Sequence, residues 1–131
     1  MREVVTSLRV RYAETDRMGV VYYANYFVWF EVARTELLRA LGSTYRDMED
    51  AGIILPVISA ECDYRRPARY DDEVDIHAVG HVRSPVRLEF TYDVLVKGTD
   101  GVAATGRTVH AALDPHGKPR RLPDMIREAF A

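Results

Sequence analysis

Apolar positions recur along this chain with two periods, and the change of period marks its parts. Over residues 22–41, Tyr26, Phe30, Ala33, Leu37 and Leu41 fall at three- and four-residue steps. That spacing draws one stripe along a long amphipathic helix. Gly42 follows in the position of a left-handed cap. Thr44 with Asp47 has the pattern of a capping box, so a short helix is expected from Thr44 to near Gly52. Elsewhere the apolar residues alternate. Leu8, Val10 and Tyr12 alternate with Ser7, Arg9 and Arg11, which predicts a strand over residues 7–12. Residues 57–66 form a second strand, closed by Pro67, and residues 73–83 a third with Val74, Ile76, Ala78 and Val82 on one face. After a Ser84-Pro85 turn comes the clearest alternation, residues 86–97. Gly98-Thr99-Asp100-Gly101 then makes a hairpin loop into a last strand over residues 102–113. Asp114-Pro115-His116-Gly117 turns again, and residues 123–130 form a terminal helix with proline in its first turn.

One strand, two helices and four strands with tight turns make an α+β fold with an antiparallel sheet. The connections are too short for parallel crossovers, which excludes a doubly wound sheet. The strands over residues 86–96 and 102–113 are expected to leave an edge that wants a partner. At 131 residues the chain fits one domain, residues 1–131, small enough to gain from dimerisation.

With 47% hydrophobic and 29% charged residues the composition is globular. A net charge of −2 gives no electrostatic case for nucleic acid or an anionic membrane. No apolar run approaches spanning length, so membrane insertion is not expected. The lone Cys62 excludes an intramolecular disulfide and suits the cytoplasm, and reads as a small packed strand residue. His77, His81, His110 and His116 lack metal-ligand spacing, and His77 and His81 alternate onto the face opposite Ile76.

The chemistry concentrates in residues 12–26. Asp16 stands just before a glycine turn that opens into the long helix. A helix start carries unpaired N–H groups and partial positive charge, which can hold a developing oxyanion. A carboxylate beside it supplies a general base or a nucleophile. An ordinary cap is the competing reading of the same acid. Gly19 suits a turn that lets a ligand approach the backbone, and Asn25 suits local backbone hydrogen bonding. Tyr26, Phe27, Trp29 and Phe30 read mainly as core, and Glu31 and Arg34 are spaced to pair on the surface.

Asp16, the Gly19-Val20-Val21 step and Tyr23-Ala24-Asn25-Tyr26 resemble the signature of the 4-hydroxybenzoyl-CoA thioesterase family, with its small Tol–Pal-associated branch. The resemblance continues through Trp29-Phe30-Glu31-Val32-Ala33-Arg34, Cys62-Asp63-Tyr64-Arg65-Arg66-Pro67-Ala68 and Arg120-Arg121-Leu122-Pro123. It implies a hotdog fold, a sheet wrapped around one long helix, and hydrolysis of an acyl-CoA thioester. It makes Asp16 the base or nucleophile and the Tyr23 backbone N–H the oxyanion donor. Gly19, Val20, Asn25 and Tyr26 would then meet the substrate. The Tol–Pal-associated branch usually carries His where Tyr23 stands, so a His-assisted mechanism is not implied. Coenzyme A ends in phosphates, and arginine suits them. Arg65, Arg66 and Arg69 beside Pro67, and Arg83 and Arg87 around Ser84-Pro85, are the candidates. The resemblance further implies a homodimer or homotetramer, with the 54–59 region entering the partner's site, and neither cofactor nor metal. The alternatives are a non-catalytic acyl- or protein-binding module and a hotdog hydratase or dehydratase.

Overall fold

A computed structural model describes residues 3–131. Its elements run β1 (Glu3–Arg9), a 3-10 turn (Tyr12–Glu14), α1 (Asn25–Ala40), α2 (Tyr45–Asp50), β2 (Val57–Tyr64), β3 (Glu73–Ser84), β4 (Arg87–Val96), β5 (Ala104–Ala111) and α3 (Asp124–Ala129). The strands form one antiparallel sheet in the order β1-β3-β4-β5-β2. Helix α1 packs across one face of it, and this is the hotdog arrangement. No helix among the described residues is long and apolar enough to cross a membrane.

The stripe of α1 forms the core, with Tyr26, Trp29, Phe30, Ala33, Leu37 and Leu38 buried. Beneath it lie Val74, Ile76 and Ala78 of β3 and Leu88, Phe90, Tyr92 and Val94 of β4. The Phe30 ring stacks on Tyr92 with centroids 4.3 Å apart. Gly106 makes room, because a Cβ there would stand 2.3 Å from the Phe30 ring. Gly42 ends α1 at φ +87°, and Thr44 and Asp47 cap α2 reciprocally.

Several expectations need correction. The first strand ends at Arg9 instead of running to residue 12. Beyond Val10 the chain folds into the 3-10 turn, because the Glu14 carboxylate accepts the Arg11 N–H at 2.8 Å. Tyr12 is thereby thrown outward, 78% exposed. Helix α1 starts at Asn25, three residues later than expected, since residues 22–24 are taken up by a tight turn. Pro123 is the N-cap of α3 and precedes its first turn. Arg34 does not pair with Glu31; its Nε donates to the Tyr45 hydroxyl at 3.1 Å. The free edges are β1 and β2, because β4 lies mid-sheet and β5 is enclosed between β4 and β2.

His110 is buried in the core. Its Nδ1 donates to the Leu55 carbonyl at 3.0 Å, which leaves Nε2 to accept from the Thr108 hydroxyl at 2.9 Å. Tyr92 and Thr108 hydroxyls join at 2.7 Å to extend the chain. Burial pushes the imidazole down to about 4. The unfolded chain takes this proton below about pH 6.5, the folded chain only below about 4. Stability is therefore full above pH 6.5 and falls as pH drops toward 4, by about 2 kcal/mol at pH 5. Denaturant melts at pH 7 and pH 5 check this. His110→Gln should flatten the difference, and an unchanged difference would assign it to other groups.

Candidate active site

The segment before Asp16 is anchored by one buried acid. Glu14 is 5% exposed, and both its carboxylate oxygens are taken. Oε1 accepts the Arg11 N–H and Oε2 the Trp29 indole N–H, each at 2.8 Å. Its carbonyl accepts the Tyr22 N–H at 2.8 Å and the Asn25 side-chain amide at 2.9 Å. Glu14 thus fastens the turn to the start of α1 from both sides.

Asp16 opens the next turn. Its N–H donates to the Val20 carbonyl at 2.8 Å and its carbonyl accepts the Gly19 N–H at 3.0 Å. Gly19 sits at φ +79°, a conformation side chains resist. One carboxylate oxygen, Oδ1, accepts from Met18 N–H at 2.8 Å and Val20 N–H at 3.4 Å. The other, Oδ2, has no hydrogen-bond partner among the described residues. One oxygen builds the turn and the other takes no part in it.

The entry to α1 is wound tightly. Asn25, Tyr26 and Phe27 N–H groups bond three residues back, to Tyr22, Tyr23 and Ala24 carbonyls at 2.9, 3.3 and 3.2 Å. The N–H groups of Tyr23 and Ala24 find no acceptor among the described residues. These are the orphan donors of a helix start.

Two clefts meet at Asp16. A largely apolar one of about 340 Å³ is lined by Asp16, Met18, Val20, Tyr23, Tyr64, Arg65, Arg66 and Pro67, among others. A larger, more polar one of about 920 Å³ is bordered by Tyr12, Arg17, Gly19, Tyr22, Asn25 and Tyr70. Asp16, Val20, Tyr23, Arg65 and Arg66 therefore share the apolar cleft, while Gly19 and Asn25 line the larger one. Tyr26 lies beneath, 3% exposed, against Trp29 and Tyr64. Burial pushes its phenol up. Arg69 stands beside Gly19, and Arg66 donates to the Asp100 carbonyl in the β4–β5 loop.

Arg83 and Arg87 are not brought here within one chain. Arg9, next to the Asp16 segment, is opposite Glu73 at the start of β3, and Arg83 lies at its other end. The separation is about 30 Å at strand rise. Arg83 instead donates to Glu89 at 2.9 Å. The bond between Glu14 and Trp29 and the role of Tyr64 escaped the reading of the sequence. Glu14 and Trp29 are fifteen apart with no local periodicity to join them, and Tyr64 was visible only as a letter in a longer motif. Cys62 is half-buried on β2, and burial pushes its thiol up.

Residues 10–130 match the family described as the thioesterase-like superfamily. The chain belongs to that superfamily. Its likeness to the acyl-CoA thioester hydrolase YbgC of Escherichia coli O6:H1 is 32% identity, over 94% of this chain and 92% of that protein. YneP of Bacillus subtilis, provisionally named an acyl-CoA thioesterase, is 49% identical over 53% of this chain, about half (51%) of its own length. The solved DHNA-CoA thioesterase of Staphylococcus aureus superposes with TM-score 0.87 at 36% identity, over 93% of this chain and 82% of that one. The relatives named as thioester hydrolases place the chain among enzymes of the thioesterase class.

If the helix-start N–H is the working group at residue 23, the phenol is dispensable. The Tyr23 side chain is 60% exposed and its ring leans on Tyr22 and Tyr64. Tyr23→Phe should therefore keep turnover within about twofold, since the donor is retained. A large loss in steady-state turnover would transfer the role to the hydroxyl.

Proposed function

We propose that this protein hydrolyses an acyl-CoA thioester to the free acid and coenzyme A. One observation carries the reading: Asp16, with a carboxylate oxygen that has no partner among the described residues, and Tyr23, whose N–H has none among them either, line one cleft. Asp16 either deprotonates the attacking water or attacks the carbonyl carbon itself, forming a mixed anhydride that water then cleaves. The Tyr23 N–H receives the oxyanion, a contact worth about 3–4 kcal/mol in the transition state. The acyl group occupies the apolar cleft, and Arg65 and Arg66 stand where the coenzyme's phosphates leave it. Tyr23 in place of His supports the 4-hydroxybenzoyl-CoA type within the superfamily.

The working form is a cytoplasmic homodimer, the unit from which a tetramer would be built. Strand β2 supports this, being an open edge exposed along nearly its whole length, with Val57 and Ile58 45% and 47% exposed. Such an edge invites a second copy. Antiparallel pairing of two β2 strands sets one copy's Tyr64 end, with its apolar cleft, against the other's Ile54–Val57 end. A panel of short, long and aromatic acyl-CoAs, assayed with a thiol-trapping dye and no added metal, is expected to release free CoA from at least one. Silence across the panel from an intact dimer would favour a binding module. A folded monomer that keeps full specific activity on dilution would remove the shared site.

A further inference from the structure

The helix-start donors depend on a side chain from a different element. The Tyr64 hydroxyl, near the end of the edge strand β2, donates to the Tyr23 carbonyl at 2.9 Å. That carbonyl's other bond, from the Tyr26 N–H, is long at 3.3 Å, so the phenol is the closer restraint. The Tyr64 ring is held edge-on against Tyr26, centroids 5.0 Å apart, and against Tyr23 at 6.4 Å. Desolvation and the neighbouring Cys62 thiol push the phenol up, so it remains a donor at neutral pH.

We propose that Tyr64 is a positioning residue, its hydroxyl fixing the Tyr23–Ala24 peptide and with it the first turn of α1, so that the Tyr23 N–H is held toward the apolar cleft that Tyr23 lines. A peptide unit is a rigid plane, so holding its C=O on one side fixes its N–H on the other. Tyr23's own N–H lies in the preceding peptide, whose Tyr22 carbonyl accepts the Asn25 N–H at 2.9 Å, so with the next peptide held by Tyr64 that N–H is restrained from both sides. Tyr64 lines the cleft, but the hydrogen bond goes to the main chain, so its effect on the reaction passes through Tyr23. The inference rests on the reading of Tyr23 as oxyanion donor.

Tyr64→Phe isolates the bond, because the ring contacts remain and only the hydroxyl is lost. Turnover (kcat) should fall about five- to twentyfold while KM stays within about twofold, the pattern of an interaction felt in the transition state. A second readout needs no turnover: the infrared carbonyl stretch of a bound acyl-CoA analogue whose thioester sulfur is replaced by CH2. Bound to the wild type, the ketone should absorb at lower frequency than in water, and Tyr64→Phe should lose part of that shift. Wild-type kcat in the variant, a rise in KM alone, or an undiminished carbonyl shift would each overturn the role of Tyr64. Absence of any shift in the wild type would instead remove the oxyanion donor itself, and the inference with it.

Discussion

Asp16→Asn is expected to lower turnover at least about a hundredfold, the range of a lost general base, while leaving fold and thioester binding intact. The geometry explains why this substitution separates the two roles of the side chain. Oδ1 holds the turn through Met18 and Val20 N–H groups, and an amide oxygen can keep both bonds. The unpartnered oxygen becomes an NH2 group, which can neither take a proton from water nor attack a carbonyl. Steady-state release of CoA, with binding of the ketone analogue followed separately, reads the two roles apart. Turnover near that of the wild type would remove Asp16 from the mechanism. Asp16→Ala is a poorer probe, because it dismantles the turn as well.

The second large effect is expected at Glu14, which touches no proposed substrate. Glu14→Gln preserves shape but turns one acceptor into a donor, and both acceptors are occupied by N–H groups. Donor then faces donor at either Arg11 or the buried Trp29 indole, at a cost of about 1–3 kcal/mol. For a chain of this size that lowers Tm by about 5–10 °C. Turnover should fall more than stability alone requires, by about tenfold or beyond, because displacing a reacting group by even an ångström is costly. Thermal melts and CoA release on the same preparation decide it. Unchanged Tm and turnover would mean that the turn is held by its backbone bonds alone.

Local chemistry was legible in the sequence where a local rule governs it. The stripe of α1, the Gly42 stop, the reciprocal Thr44–Asp47 cap and the alternation of β3 and β4 depend on neighbours a few residues apart, and they stand as read. What escaped depends on distant partners. Alternation runs unbroken into Tyr12, yet Glu14 turns the chain away before it. Period alone does not say which strands become edges, since β2 takes its place beside β5 through pairing, not adjacency. Glu31 and Arg34 have the spacing of a surface pair, but the guanidinium found Tyr45 on the next helix. Arg83 and Arg87 were grouped with the other arginines because their side chains suit phosphate, although the hairpin they bracket turns at the far end of the sheet.

The side-chain bonds that anchor Glu14, just before Asp16, leave the apolar cleft untouched. Arg11, Glu14 and Trp29 lie outside its lining, whereas Met18, Val20, Arg65 and Pro67 form its walls. Side chains on those walls can therefore change while the Glu14 anchor keeps the Asp16 turn in place. A lineage built on this chain can drift from one acyl group to another by small steps, each passing through an active enzyme.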